Sequence, residues 1–349
     1  MPDATGAPLG VAVIGSGFMG RTWSQVCRLV GDRVRLVGVA VGRRAAQLAS
    51  DYECEHVDDP AELIGRSDVD VVIVTTPPHV HRTAVESAAA AGKHVLVEKP
   101  LSSTSEDARA MIDAAEAAGT LLATVSQHRF RAAPRFVRGV LDSGAVGPVR
   151  MARVIGPETG FWDTSVTHDE WKLDPAQQTV FASWAAHACD LLYWFVGAEP
   201  VEAYGRITQY GDSPPVGRSA MATYGFANDA MAQVWMSYDI PQPGLGSGLQ
   251  FELIGATGIV RLDSYGAVEV GTAEGWTVPF RQKAFDPLDP MDPARLAAYA
   301  DQLADLVDAV RHGTRPAVSG LDGLRSVAMT EAAERSAAEH VVARVGAVR

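Results

Sequence analysis

Three glycines at a fixed spacing carry the first chemical signal in this chain. Gly15-Ser16-Gly17-Phe18-Met19-Gly20 follows the apolar run Gly10-Val11-Ala12-Val13-Ile14 and opens a helical pattern that continues to Val30. In such a loop the first glycine permits the tight turn. The second lets backbone approach a pyrophosphate, and the third lets helix and strand pack closely. Backbone N–H groups and the positive end of the helix dipole then face phosphate charge, with Phe18 and Met19 inside the same loop. The alternative is a glycine-rich turn that holds no ligand.

The next apolar run, Val34 to Val41, bears on which nucleotide such a loop would take. An Asp or Glu at its end would bind the adenosine ribose hydroxyls and favour NAD. Here the run enters Gly42-Arg43-Arg44, and no acidic residue occurs from Val34 until Asp51. Two guanidinium groups at that corner suit a 2′-phosphate, so NADP is expected in preference to NAD. Alternatively Arg43 and Arg44 are a solvated helix start, and the cofactor is unselected.

These motifs need a scaffold, and the first third of the chain reads as one. Apolar runs at 10–14, 34–41, 69–74, 94–97 and 121–125 are separated by helical patterns at 44–51, 81–91 and 105–118. Strands that are apolar throughout and alternate with helices imply a parallel sheet covered on both faces. Beyond about residue 127 the rhythm changes. A helix from Pro134 to Asp142 leads to a strand near 149–154, then an irregular stretch, then one long buried helix from Ala182 to Phe195. Strand-like runs fill 201–278 with no long helix among them, which implies a mostly antiparallel sheet. The Ala-rich tail is expected to be helical over 293–311 and 321–345. The domains are therefore a Rossmann domain over 1–126 and an α+β domain over 127–349, whose C-terminal helices pack back on the first.

The 349 residues suffice for two domains, and 47% hydrophobic with 21% charged residues is an ordinary globular composition. A net charge of −12 argues against a nucleic-acid surface. Cys27, Cys54 and Cys189 are odd in number, far apart and outside any CxxC. That argues against a disulfide framework and a Cys/His zinc site, and fits a reducing compartment. The N-terminus has no basic start followed by an apolar run, and no apolar run approaches a membrane span. A cytoplasmic location with no membrane partner is expected.

Three more segments complete a pattern. Thr75-Thr76-Pro77-Pro78-His79-Val80-His81 follows the third apolar run. Ala91-Gly92-Lys93-His94-Val95-Leu96-Val97-Glu98-Lys99-Pro100 contains the fourth, and Leu141-Asp142-Ser143-Gly144-Ala145-Val146-Gly147 closes a helix. With the glycine motif these resemble the Gfo/Idh/MocA family of glucose-fructose oxidoreductase and inositol dehydrogenases. The resemblance extends through Trp171-Lys172-Leu173-Asp174-Pro175 and the tail around 316–338. It implies a Rossmann domain with a parallel sheet and a C-terminal α+β domain with a large, mostly antiparallel open sheet. It also implies reversible hydride transfer between NAD(P) and a secondary alcohol or ketone of a sugar, an inositol-like polyol or a sugar derivative.

Carried over from that family, Lys99 lies beside the nicotinamide and contacts the reacting oxygen. An ammonium at the carboxyl end of a parallel strand can stabilise a developing alkoxide, and a lowered pKa would suit it to proton transfer. Glu98 positions Lys99 or the cofactor. Thr75, Thr76 and Pro77 belong to the cofactor loop, although Pro78 replaces the family's usual Asn and loses its side-chain contact. His81 lines the cofactor groove or makes a helix N-terminal contact.

The family's second catalytic element usually reads Asp-x-Gly-x-His-x-x-Asp. Here it is Ser183-Trp184-Ala185-Ala186-His187-Ala188-Cys189-Asp190. His187 is the candidate general acid/base, and Ser183 shares its helix face four residues away. Asp190 contacts substrate or satisfies a structural hydrogen bond. Ser183 in place of Asp weakens the link to inositol-type enzymes and shifts more of the work to Lys99. Arg129, in the crossover Gln127-His128-Arg129-Phe130, binds a hydroxyl or carboxylate or anchors the hinge. Trp171 and Trp184, with Trp162, stack on a sugar face or pack in the core. The resemblance further implies a homodimer or homotetramer through an uncovered sheet face. Two other functions stand beside the dehydrogenase: a non-catalytic NAD(P)-binding sensor, and a non-redox glycoside-processing enzyme with tightly bound NAD.

Overall fold

Uninterrupted β-branched runs bury both faces of a strand, and the parallel sheet they require is present. The structure is a computed structural model that describes residues 6–157, 179–208, 219–238, 240–241, 243–246 and 248–348. In chain order the first elements are β1 (Leu9–Ile14), α1 (Phe18–Leu29), β2 (Val34–Ala40), α2 (Ala45–Asp51), β3 (Glu55–Val57), α3 (Pro60–Ile64), β4 (Val71–Val74), α4 (His81–Ala90), β5 (His94–Val97), α5 (Ser105–Ala118) and β6 (Leu122–Thr124). They form a six-stranded sheet in the order β3-β2-β1-β4-β5-β6, with every pair parallel. The chain reverses direction across the sheet at β1 and β4, so a crevice opens at their carboxyl ends.

Next come α6 (Ala132–Asp142), β7 (Val149–Pro157), α7 (Val180–Val196), β8 (Pro200–Thr208), β9 (Ser219–Phe226), β10 (Met231–Ser237), β11 (Gln250–Gly255), β12 (Ile259–Asp263), β13 (Ala267–Thr272) and β14 (Gly275–Arg281). The tail supplies α8 (Pro293–His312), α9 (Gly320–Glu339) and β15 (Ala343–Arg344). The second sheet has nine strands in the order β14-β13-β12-β11-β7-β10-β9-β8-β15. It is antiparallel except for β7 and β10, which run parallel with Val154 opposite Val234.

The chain divides into two compact units, residues 1–127 with 285–324, and 128–284 with 325–349. In the first unit α1 buries Trp23, Val26 and Cys27 against Val11, Val13, Val39 and Ile73, and α8 adds Leu296, Tyr299, Leu303 and Leu306 to the same core. Fully burying such a side chain is worth roughly 1.5–3 kcal/mol. Gln302 of α8 donates from Nε2 to the Thr124 carbonyl at 2.8 Å and accepts from the Ser126 amide at 3.1 Å, which ties α8 to the end of β6.

In the second unit α7 is apolar almost all round, and Phe181, Ala185, Cys189, Leu192 and Phe195 share a core with Val154, Val234, Phe251 and Leu253 of the sheet. The strands alternate in burial, and the outward positions include exposed Met151, Met221, Met231 and Ile254 beside charged Arg153 and Arg261. All three cysteines are free. Burial pushes the Cys27 and Cys189 thiols up to about 12.

Three departures from the sequence expectations have identifiable physical causes. β3 and α3 were not anticipated. β3 is three residues long with Glu55 and His56 exposed, so it carries no apolar run, and α3 is a five-residue helix capped by the Asp59 carboxylate, which accepts from the Ala61 amide. The last helix was expected to reach Val345 but ends at Glu339. His340 takes a positive φ of 59°, and Ala343 and Arg344 then pair with Ala203 and Glu202 as an edge strand.

One buried carboxylate couples α9 to the start of α7. Thr179 caps α7 by accepting from the Ala182 amide at 3.0 Å, and its hydroxyl donates to Glu334. Burial pushes the Glu334 carboxyl up from 4.5 to about 7, against the pull of the Thr179 hydrogen bond and with a push from Glu331. A native pKa above the ordinary value means that the folded protein keeps a proton the unfolded chain has released. Stability therefore falls as pH rises from about 4.5 to about 7. Glu334→Gln keeps an acceptor and removes the titration. By urea unfolding it should exceed the parent by on the order of 2–3 kcal/mol near neutral pH and above, with the gap closing below about pH 5. An equal gap at both pH values would contradict this account.

Candidate active site

In the first unit the glycine loop and its neighbours lie where β1, β2, β4 and β5 end. Gly15 has φ +122°, and a Cβ there would stand 2.4 Å from Thr75 Oγ1 and 2.9 Å from the Thr75 carbonyl carbon. A Cβ on Gly20 would lie 2.2 Å from the Gly15 carbonyl oxygen. These two glycines let α1 press against the ends of β1 and β4. Gly17 differs, because a Cβ there meets nothing within 4 Å. It is the N-cap of α1, no side chain caps that helix, and its first turn holds no acidic residue. The first amides of α1 therefore look onto open space free of competing carboxylate, which fits a phosphate group. Gly17, Phe18, Gly42, Arg43 and Arg44 are exposed, Met19 is half-buried, and Gly15 and Gly20 are buried.

At the end of β2 the backbone turns through Val41 and Gly42, both with positive φ. Ser16 Oγ accepts from the Arg44 amide at 3.3 Å, which ties this corner to the glycine loop. Arg43 and Arg44 enter no ion pair among the described residues. Asp51, the first acidic residue after β2, is held by Arg21 and by Gln47 Nε2 at 2.8 Å.

The loop after β4 presents Thr75, Thr76 and Pro77 as half-buried residues. Thr75 Oγ1 donates to the Ile14 carbonyl at 3.2 Å, while Thr76 Oγ1 is buried with no partner among the described residues. His81 is fully buried, with Nδ1 3.0 Å from the Leu101 carbonyl oxygen and Nε2 2.7 Å from that of Thr76. Burial lowers its pKa, and the two carbonyls oppose that. The ring lies between two backbone carbonyls, and the single N–H of the neutral imidazole donates to one of them.

Glu98 and Lys99 follow β5. Glu98 is 6% exposed, accepting from Trp23 Nε1 at 2.8 Å and from the Lys99 amide at 3.2 Å. Burial raises its pKa, opposed by Trp23, Lys99 and Arg295. Trp23 lies on α1, so one carboxylate locks the helix that begins at the glycine loop to the backbone that presents Lys99. Lys99 itself is half-buried. Trp23 carries no functional signal in the sequence. Its only signal there was an apolar helix position.

In the second unit α7 carries half-buried Ser183 and Trp184 and buried His187 and Asp190. Arg129 and Asp190 form a buried bidentate pair, Nε to Oδ2 at 2.9 Å and Nη2 to Oδ1 at 2.6 Å, with Arg129 over the Trp194 ring at 5.6 Å. The two buried charges neutralise each other. His187 meets two rings edge-on, His128 at 4.7 Å and Trp184 at 5.5 Å. His128 stacks on Tyr265 at 5.6 Å, and Arg131 lies over the Tyr265 ring at 5.1 Å. Trp184 Nε1 is buried with no hydrogen-bond partner among the described residues. Tyr265 sits between β12 and β13, far from α7 in sequence, and no sequence signal connects the two. Trp162 and Trp171 lie outside the described residues.

These features define a Rossmann-type nucleotide-binding protein with a second α+β unit carrying an imidazole cluster. Residues 9–126 match the family model described as an oxidoreductase family with an NAD-binding Rossmann fold, and residues 135–261 match the GFO/IDH/MocA C-terminal domain. The chain is 30% identical over 345 residues to inositol 2-dehydrogenase 1 of Saccharopolyspora erythraea, covering 93% of each chain. It is 29% identical over 341 residues to 1,5-anhydro-D-fructose reductase of Ensifer adhaerens, covering 95% of this chain and 97% of that one. The fold is also that of levoglucosan dehydrogenase solved with NADH and levoglucosan, with a TM-score of 0.86 at 21% identity over 97% of this chain and 99% of the other. The chain belongs to the Gfo/Idh/MocA family of NAD-binding oxidoreductases.

The two kinds of glycine separate folding from binding. Gly20→Ala should lower the thermal midpoint, because backbone must move to admit its Cβ. Gly17→Ala should leave the midpoint nearly unchanged and weaken NADH binding by about tenfold or more, since its Cβ enters the space in front of α1. Thermal unfolding and a fluorescence titration on each variant decide this. Full NADH affinity in Gly17→Ala would place the phosphate elsewhere.

Proposed function

We propose that this protein transfers hydride reversibly between a nicotinamide dinucleotide and a secondary alcohol or ketone of a sugar, polyol or sugar derivative. The observation that carries the proposal is Lys99, placed after β5 at the carboxyl edge of the parallel sheet and braced through Glu98 to the helix of the glycine loop. Relatives named for inositol and anhydrofructose chemistry support the substrate class. When bound, the dinucleotide supplies the hydride donor or acceptor.

The chain's own residues do the rest. Gly15 and Gly20 set the loop, and the first amides of α1 with Gly17 hold the diphosphate. The Lys99 ammonium donates to the reacting oxygen and stabilises its developing negative charge. His187, held between the His128 and Trp184 rings, accepts the hydroxyl proton during oxidation and returns it during reduction. The Arg129–Asp190 pair is a positioning element that fixes α7. Ser183 and Trp184 face substrate hydroxyls, with Trp184 Nε1 as a donor.

NADP is the preferred cofactor in this reading, because Arg43 and Arg44 occupy the corner where a ribose-binding carboxylate would stand. The uncovered face of the nine-stranded sheet, with Met151, Met221, Met231 and Ile254 exposed, forms a homodimer or homotetramer interface.

The test is a titration with NADPH and NADH followed by a panel of polyols, sugars and keto-sugars read at the nicotinamide absorbance. Lys99→Met should lose about 10²- to 10⁴-fold in turnover while keeping dinucleotide affinity within a few-fold. Joint Arg43→Ala and Arg44→Ala substitution should weaken NADPH by about tenfold and leave NADH nearly unchanged. A protein that binds neither dinucleotide is not a dehydrogenase. One that binds and turns over nothing, with Lys99→Met indistinguishable from the parent, is a sensor or a non-redox enzyme.

A further inference from the structure

A cation lies buried behind the glycine loop, brought there from the far end of the chain. Arg295 is in the first turn of α8 and is 2% exposed. Its Nε donates to the Pro287 carbonyl at 3.1 Å and its Nη2 to Thr22 Oγ1 at 3.1 Å. Thr22 belongs to α1, and its hydroxyl in turn donates to the Phe18 carbonyl at 3.1 Å. The guanidinium lies 4.8 Å from the Phe18 ring centroid and 5.1 Å from that of Tyr299. Nη1 is buried with no hydrogen-bond partner among the described residues, and no carboxylate there forms an ion pair with Arg295. Glu98 is the buried carboxylate that feels its charge, yet the Glu98 oxygens are bonded to Trp23 and to the Lys99 amide.

A guanidinium taken out of water without an ion-pair partner is unfavourable unless something else meets its charge. Its polar contacts are one carbonyl and one hydroxyl, and the hydroxyl leads directly to the first residue of α1. That is the terminus whose amides stand uncapped and whose first turn has no acidic residue. A fixed positive charge behind a helix N-terminus adds to the dipole potential there and is screened little by salt, because it is buried. The Phe18 ring, 45% exposed, covers the guanidinium on the loop side.

We infer that Arg295 is a positioning residue of the dinucleotide site: from α8 it holds Phe18 and Thr22 of the glycine-loop helix and supplies buried positive potential that favours the diphosphate. This rests on the reading that the glycine loop binds a nicotinamide dinucleotide. It adds a second contributor to that site, distant in sequence. Trp23 extends the same chain of contacts, since its ring meets Tyr299 edge-on at 5.3 Å and its Nε1 reaches Glu98. Arg295 therefore links the phosphate end of the site to the backbone that presents Lys99.

The experiment compares wild type, Arg295→Met and Arg295→Lys. Met keeps the apolar stem and removes the charge. Lys keeps the charge and loses the fork. Affinity is measured for NADH, ADP and adenosine by calorimetry or ligand-observed NMR, together with the thermal midpoint of the ligand-free protein. Arg295→Met should weaken NADH and ADP by about tenfold and leave adenosine within about twofold. Arg295→Lys should recover most of that loss. In turnover, KM for the dinucleotide should rise while kcat stays within about twofold. Equal weakening of adenosine and ADP would show that Arg295 only holds the fold, and unchanged ADP affinity would remove it from the site. Either result overturns the inference while wild-type NADH binding stands. Wild type that binds neither NADH nor ADP overturns both this inference and the reading beneath it.

Discussion

The close approach of α1 to the ends of β1 and β4 is the contact on which the nucleotide half of this protein depends. Gly20 lies where a Cβ would come within 2.2 Å of the Gly15 carbonyl, and Gly15 lies where one would meet Thr75. No larger residue at either position leaves room for this packing. Because α1 is seated so closely, its N-terminal amides stand at the carboxyl edge of the sheet. Trp23, one turn further along, is then in reach of Glu98 after β5. A steric allowance at two glycines thus becomes an electrostatic site at one end of a helix and a brace for Lys99 at the end of another strand.

Several buried polar groups of this half tether backbone at the strand ends. His81 lies between two backbone carbonyls and donates to one, Glu98 bonds an indole and an amide, and Gln302 closes the end of β6. Buried polar groups are tolerated when satisfied and rigidify what they join. Each of these tethers holds a strand end or the loop after it. The second unit repeats the device around α7. There Arg129 and Asp190 form a buried bidentate pair, the His128 and Trp184 rings meet His187 edge-on, and Tyr265 stacks on His128. Removing one partner of such a pair would leave an uncompensated buried charge, which costs far more than a surface ion pair is worth.

Much of the fold was legible in the sequence because its signals are local. Ser105 to Ala118 and His94 to Val97 matched the structure at both ends. The first is bounded by a Thr104 cap and Gly119 at φ +68°, the second by burial on both faces. Short polar elements such as β3 and α3 carried no such signal. The end of α9 depended on an edge pairing with β8, more than 130 residues upstream, which no local pattern encodes. Among the site residues the glycine motif and Glu98-Lys99 were legible from spacing and resemblance. Trp23, Tyr265 and Arg295 were not, since each matters through a partner that is distant in sequence.

By itself the sequence determined the class of fold, the glycine loop, the absence of an acidic residue at the end of the second strand and the placement of His187 on a helix. These follow from periodicity, glycine sterics and charge, all of which act over a few residues. Only the tertiary structure decided what each polar side chain spends its hydrogen bonds on. It paired Arg129 with Asp190, turned His81 onto backbone, set Glu98 against Trp23 and brought Arg295 beneath Phe18. The physical reason is that a buried polar group pairs with whatever group the fold brings within hydrogen-bond reach, and that is set by how helices and strands pack, not by their order in the chain.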